Sequence, residues 1–331
     1  MSKSGFGRSW TGRKFPNRCL RARSATCRGV AGIADTTSDE ARRRERAPAK
    51  LNLFLHVGAR GSDGYHALES LVVFSDFGDR LHLEPARGFE LIRTGPYATA
   101  LPDRPDEDLT ARAVAGLAEI FGRTADFTIT LDKNIPVAAG LGGGSADAAA
   151  AIRLVCREWG VDPGDARVRE LAAGLGADVP MCLYSRPAWI AGAGEHVTPV
   201  DACAELDLLL VNPRVALSTA QVFGAYVPGD PVADIDPASV DLASTASALA
   251  FLEHQHNDLA APAQGLCPVI SDVLEELTQA SDCRMARMSG SGPTCFAIFD
   301  NEDSCKRAAR ELAARHPGWW LSPTRTRHTN R

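Results

Sequence analysis

The sequence predicts an α+β protein made of two domains joined near residue 200. Three observations lead there. The 331 residues are 45 % hydrophobic and 23 % charged, an ordinary globular mixture long enough for two modest cores. Alternating apolar runs and helical runs form two blocks, each with its own strands and helices. A cluster of glycines runs straight into a helix of small residues, which a flexible linker would not do.

The first block begins at Ala47-Pro48-Ala49-Lys50. Leu51 to Val57 reads as a strand, followed by strands at Leu71–Ser75, Arg80–Glu84 and Phe89–Arg93, broken by Gly and Pro. Asp108 starts a helical pattern through Leu109, Ala113, Leu117 and Ile120 that stops at Gly122. Phe127, Ile129 and Leu131 alternate as a strand. A helix is expected from Ser145 to about Trp159 and another from Asp165 to Leu175. Val179–Tyr184 and Ala188–Ala191 read as buried strands. In the second block Leu206–Val211 is a fully apolar strand. Helices are expected near 218–226, 239–253, 268–280 and 304–315, with strands at 284–288, 294–299 and 319–321. The expected domains are 47–203 and 204–331.

Residues 1–46 carry twelve Lys/Arg against four acids, a charge of +8, so the rest holds −13 of the overall −5. This stretch lacks hydrophobic periodicity and a secretory apolar core. It reads as a disordered basic leader, or as translation from a start codon placed too far upstream. Its lack of acids before Asp35 also fits a transit peptide, which would move the expected location from the cytoplasm to a plastid stroma. The acidic remainder argues against a nucleic-acid binder, and no apolar run is long enough for a membrane span. Nine scattered cysteines without a Cys-x-x-Cys pair suit reduced thiols. His254 and His256 are poorly spaced for a shared metal.

The most informative stretch is Pro136-Val137-Ala138-Ala139-Gly140-Leu141-Gly142-Gly143-Gly144-Ser145-Ala146. Its glycines let backbone N–H groups converge on one concavity, and the following helix adds unpaired N–H groups and a partial positive charge. That arrangement suits a polyphosphate. Ser145 adds a hydroxyl for an N-cap, a phosphate contact or a magnesium ligand. A P-loop is excluded because no lysine lies between Lys133 and Lys306, and a dinucleotide fingerprint needs glycine where Ser145 stands. Met288-Ser289-Gly290-Ser291-Gly292-Pro293 is either a hairpin turn or a second wall of the same site.

Three separated motifs, Pro48-Ala49-Lys50-Leu51-Asn52-Leu53, Gly140–Ala146 and Ser289–Pro293, resemble the signatures of the GHMP kinases. Asp63-Gly64-Tyr65-His66 and Gly176-Ala177-Asp178-Val179-Pro180 look like the branch whose acceptor is a cytidine-diphosphate-linked sugar alcohol. Asp147 stands where some relatives have asparagine. The likeness covers residues 47 to about 325. It implies an N-terminal domain like ribosomal protein S5, a ferredoxin-like C-terminal domain, and a cleft between them that takes ATP, Mg2+ and the acceptor. It also implies ATP-binding roles for Pro136, Ala138, Ala139, Gly140, Leu141, Gly142, Gly143, Gly144, Ser145, Ala146, Gly290, Ser291 and Gly292.

By the same resemblance Asp178 is the candidate general base and Lys50 its cationic partner, a chemistry suited to phosphoryl transfer. Tyr65, His66 and Phe223 are expected to hold the cytosine, and Asn52 to bond the polyol or its phosphate. Two other readings stand beside this one. A sister kinase acting on homoserine or mevalonate would have no base for Tyr65 and His66 to meet. A non-catalytic nucleotide binder would have no need of Lys50 and Asp178.

Overall fold

In the computed structural model, β1 (Arg44–Asn52), β2 (His56–Arg60) and the 20-residue β3 (His66–Pro85) open a seven-stranded sheet. The structure describes residues 40–61, 64–102, 104–229 and 235–327, so most of the basic leader and Asp63 lie outside the described residues. β3 is the spine. It pairs antiparallel with β1, β2, β5 (Phe127–Asp132) and β6 (Ala188–Gly192). β4 (Glu90–Thr94) runs parallel to β5, and β7 (His196–Pro199) closes the edge beside β6.

Two sequence expectations change here. The expected strands 71–75 and 80–84 are one strand, because Asp76-Phe77-Gly78 does not break it. Gly78 faces Pro48, and a Cβ there would sit 2.3 Å from the Ala47 carbonyl oxygen, so glycine permits the close pairing of β1 and β3. β1 also starts at Arg44, ahead of the expected Ala47.

Helices cover this sheet. α1 (Leu109–Phe121) is capped by Asp108, whose side chain accepts from Thr110 N and Ala111 N, and ends at Gly122 in the left-handed region (φ +59°). α2 (Gly143–Trp159) buries Ala148 to Ile152 against Val72, Phe74 and Leu81. Its alanines let the helix lie close to the sheet. α3 (Ala166–Leu175) and α4 (Val179–Tyr184) follow. α4 corrects the expected strand at 179–184. A six-residue apolar run has no periodicity to separate the two, and Pro180 fits the first turn of a helix.

The second sheet has four antiparallel strands in the order β11-β8-β10-β9, with β8 (Asp207–Asn212), β9 (Cys283–Met288), β10 (Cys295–Phe299) and β11 (Trp320–Arg325). Between its polar ends, β8 is apolar from Leu208 to Val211 because both of its faces are buried. Leu208 and Leu210 pack with Phe54, Trp189 and Phe296, a core shared with the first sheet. Leu209 and Val211 pack instead with Ile270 and Val273 of α8 (Val269–Thr278) and Leu312 of α9 (Glu302–Arg315). α5 (Thr219–Ala225), α6 (Thr245–Glu253) and α7 (Ala260–Leu266) connect the strands. α7 and β7 were not anticipated from sequence; both are short, and Pro262 and Gly265 mask the first. The α+β class is as expected.

Candidate active site

A cavity of about 950 Å³ takes its walls from both blocks of the chain, a volume suited to a sizeable ligand. Of the residues singled out in the sequence, Lys50, Asn52, Tyr65, His66, Pro136, Ala138 to Ser145, Asp178, Phe223, Gly290 and Ser291 line it. Ala146 lies buried behind the loop, and Gly292 sits behind Gly140.

The glycine turn is built by left-handed backbone at Ala138 (φ +56°), Gly140 (+74°) and Gly142 (+62°). Gly142 is the N-cap of α2, so the helix begins at Gly143 and Ser145 stands inside its first turn. This corrects the expectation of Ser145 as N-cap. With glycine at the cap, no side chain occupies the space in front of the first N–H groups. A Cβ on Gly140 would lie 2.3 Å from the Gly292 carbonyl oxygen, so the two glycine elements touch through backbone. Thr294 secures the seam: its N–H and its hydroxyl both donate to the Ala139 carbonyl, the hydroxyl at 2.5 Å, and Asn212 Nδ2 donates to that hydroxyl oxygen. Asn257 Nδ2 in turn donates to the Met288 and Gly290 carbonyls.

Lys50 meets this turn from β1. Its N–H donates to the Leu141 carbonyl at 2.9 Å, and its buried ammonium lies 2.9 Å from Asn52 Oδ1 and 3.4 Å from the Asp178 carboxylate. Asp178 precedes α4 but makes no capping hydrogen bond, which leaves its carboxylate, 38 % exposed, to the cavity. A Cβ on Gly142 would lie 3.3 Å from Lys50 Cβ and 3.8 Å from Asp178 Oδ2. The turn is thus adjacent to both members of the ion pair. Asn52 is fixed by Nδ2 donating to Ser70 Oγ and by its N–H donating to Ser289 Oγ, so the first and third motifs are joined.

Beneath Gly143 lies a second lysine whose role was not read from sequence. Lys133 Nζ bonds Asp79 at 2.5 Å and Asp147 at 2.6 Å, and all three side chains are buried. Burial works against the Lys133 charge, but the two carboxylates outweigh it and raise its pKa. Burial pushes the Asp147 carboxyl well up, Lys133 opposes the shift, and the Asp79 charge adds to it. Asp79 also accepts from the N–H groups of Asn134 and Ile135, tying β3 to the start of the glycine loop. Lys133 and Asp147 line the cavity, as do Leu101, Pro102, Leu109 and Val137. That apolar wall was also missed, since its residues come from an irregular stretch and a helix start with no common motif.

On the other side, Tyr65 is 67 % exposed and His66 Nδ1 lies 2.9 Å from the Gly58 carbonyl. A carbonyl only accepts, so Nδ1 carries the proton and Nε2 of the neutral ring is an acceptor. The His66 ring is 5.6 Å from Phe223 and 5.8 Å from Tyr226. Phe223 serves both packing and cavity: it rests on the core of the second sheet while lining the cleft.

Comparison with known proteins agrees with this architecture. Residues 108–186 match the GHMP kinases N terminal domain and residues 242–318 the GHMP kinases C terminal domain. The 4-diphosphocytidyl-2-C-methyl-D-erythritol kinase of Rhodospirillum rubrum is 46 % identical over 85 % of this chain and 91 % of its own. That of Paramagnetospirillum magneticum is 43 % identical over 84 % and 96 %. A crystal structure of 4-(cytidine 5'-diphospho)-2C-methyl-D-erythritol kinase superposes with a TM-score of 0.71 at 34 % identity, covering 86 % of this chain and all of the other. The chain belongs to the GHMP kinases, small-molecule phosphotransferases, and within them to the 4-diphosphocytidyl-2-C-methyl-D-erythritol kinase family.

Proposed function

We propose that this protein transfers the γ-phosphoryl group of ATP to the 2-hydroxyl of 4-diphosphocytidyl-2-C-methyl-D-erythritol, with the residues of the 950 Å³ cavity in the following roles. The observation that carries the reading is that Gly142 lies beside both members of the Lys50–Asp178 pair. A phosphate chain held by the turn has its terminal group beside a carboxylate–ammonium pair. Phosphoryl transfer asks for that: an aligned nucleophile and stabilised equatorial oxygens.

ATP lies with its phosphates over Gly140 to Ser145 and its purine against the apolar wall of Leu101, Pro102, Leu109 and Val137. Mg2+ enters as part of the MgATP substrate, and Ser145, the only polar side chain from Pro136 to Ala146, is the loop oxygen available to it. Asp178 takes the proton of the acceptor hydroxyl as attack proceeds. Lys50, 3.4 Å away, orients that carboxylate and draws charge from the transferring group. Asn52, bonded to the Lys50 ammonium, presents its amide to the polyol.

The acceptor's cytosine stacks on Tyr65 and Phe223. His66 Nε2, the acceptor nitrogen, suits the exocyclic amino group of cytosine, where uracil would present a second acceptor. Homoserine and mevalonate would leave these three side chains unused. The test is a coupled ADP-release assay with the cytidine-linked acceptor, its uridine counterpart, mevalonate and homoserine. Turnover should be confined to the first. A higher kcat/KM with mevalonate or homoserine, or ATP binding without transfer to any of the four, would overturn the reading.

A further inference from the structure

A second cavity, of about 550 Å³, shares no lining residue with the first. It lies between α9, β11 and the segment that leaves β8. Lys306, Ala309, Arg310 and Ala313 come from α9 at helical spacing, so two alanines form a hollow and two cations its rim. Trp319, Trp320 and Pro323 form the facing wall, and Arg214 closes one end.

Three features distinguish this groove from ordinary solvated surface. Neither Arg214 nor Arg310 forms an ion pair among the described residues, whereas Lys306 is held by Glu302 at 2.6 Å. Arg214 has left-handed backbone (φ +59°), a region disfavoured for a residue with a Cβ. Its N–H donates to Asn212 Oδ1 at 2.7 Å, so a buried side chain holds it in that state. The indoles are also fixed in advance. Trp319 stacks on His316 at 3.8 Å and 7°, His316 lies 3.0 Å from Glu276, and Trp320 packs 5.2 Å from Phe77.

Unpaired guanidiniums favour phosphate, which they bind in a planar, two-pronged fashion. A rigid indole face favours a flat ring, and every nucleobase offers a π-face that can stack on it. We propose that this groove is a second ligand site, separate from the catalytic cavity, that takes a nucleoside phosphate: phosphate on Arg214 and Arg310, base against the Trp319 indole, with Trp320 beside it in the lining.

The test uses the full-length protein labelled with ¹⁵N at its tryptophan indoles, the Trp319 and Trp320 signals assigned from Trp319→Phe and Trp320→Phe variants. AMP and, separately, inorganic phosphate are titrated in, with Trp189 as internal reference. The Trp319 and Trp320 signals should shift saturably with AMP and saturate at higher concentration with phosphate. Arg214→Ala and Arg310→Ala should each weaken AMP binding about tenfold or more while leaving kcat without AMP unchanged. Both arginines are solvent-exposed, so the variants should melt with the wild type. The proposal is overturned if the two signals stay still at millimolar AMP, if phosphate binds as tightly as AMP, or if the double variant responds like the wild type. Kinase turnover in the acceptor assay is independent of all three outcomes.

Discussion

Asp147 meets Lys133 through only one of its two oxygens. Oδ2 lies 2.6 Å from the ammonium, while buried Oδ1 has no hydrogen-bond partner among the described residues. Asp79 already meets Lys133 at 2.5 Å, so a second carboxylate charge on buried Asp147 is costly. The raised pKa is the response: the folded protein holds a proton there that the unfolded chain releases at ordinary carboxylate pH.

The sign of the pH dependence follows. Between the unfolded carboxylate value of about 4 and the higher folded value, the native state binds more protons than the unfolded one, so stability falls as pH rises. Asp147→Asn keeps the shape and removes the titration. Its melting temperature should match the wild type near pH 4 and exceed it at pH 8, by roughly 2–4 °C per kcal/mol relieved. Parallel melting curves at both pH values would show that Asp147 is charged in the fold.

Asp178→Asn should leave the ion-pair geometry nearly intact and remove the base. We expect kcat to drop by about 10²–10⁴-fold, with the ATP dissociation constant changed little. Single-turnover kinetics separate the two. A drop confined to ATP affinity would move Asp178 from proton transfer to nucleotide binding.

Tyr65 is mostly exposed, so Tyr65→Ala costs the fold little. Loss of one stacking surface should raise the acceptor KM by about 5- to 150-fold at unchanged ATP KM. Initial rates across both substrate concentrations decide this.

Thr294→Val is isosteric but removes the hydroxyl that binds the Ala139 carbonyl and receives Asn212. Asn212 Nδ2 loses its partner, at a cost of about 1–3 kcal/mol, and the Ala139 carbonyl keeps only the backbone N–H of residue 294. Denaturant unfolding should register that loss, and the ATP KM should rise while the acceptor KM holds. An unaffected ATP KM would mean the loop keeps its shape without the clamp.

Local chemistry was the legible part of this molecule. Gly140 to Gly144, Asp108 before α1 and Gly122 after it carry their geometry in neighbouring residues, and the motifs around Lys50, Asp178 and Gly290 line one cavity as their joint resemblance implied. Features that need a distant partner stayed hidden. The unity of β3 depends on how Gly78 meets β1, and the Lys133 site joins positions 79, 133 and 147 from three elements. Val179–Tyr184 failed for another reason: six apolar residues fit strand and helix alike, and only Pro180 hinted at a helical first turn.

The backbone seam at Gly140 and Gly292 ties the glycine loop to the far end of the chain. While the chain is still being synthesised, the N-terminal sheet can gather its strands, but the carbonyl of Ala139 waits for a donor encoded 155 positions downstream. A nascent chain halted before Thr294 therefore holds the glycine loop without this fastening. The loop's shape depends on residues from both ends of the described chain.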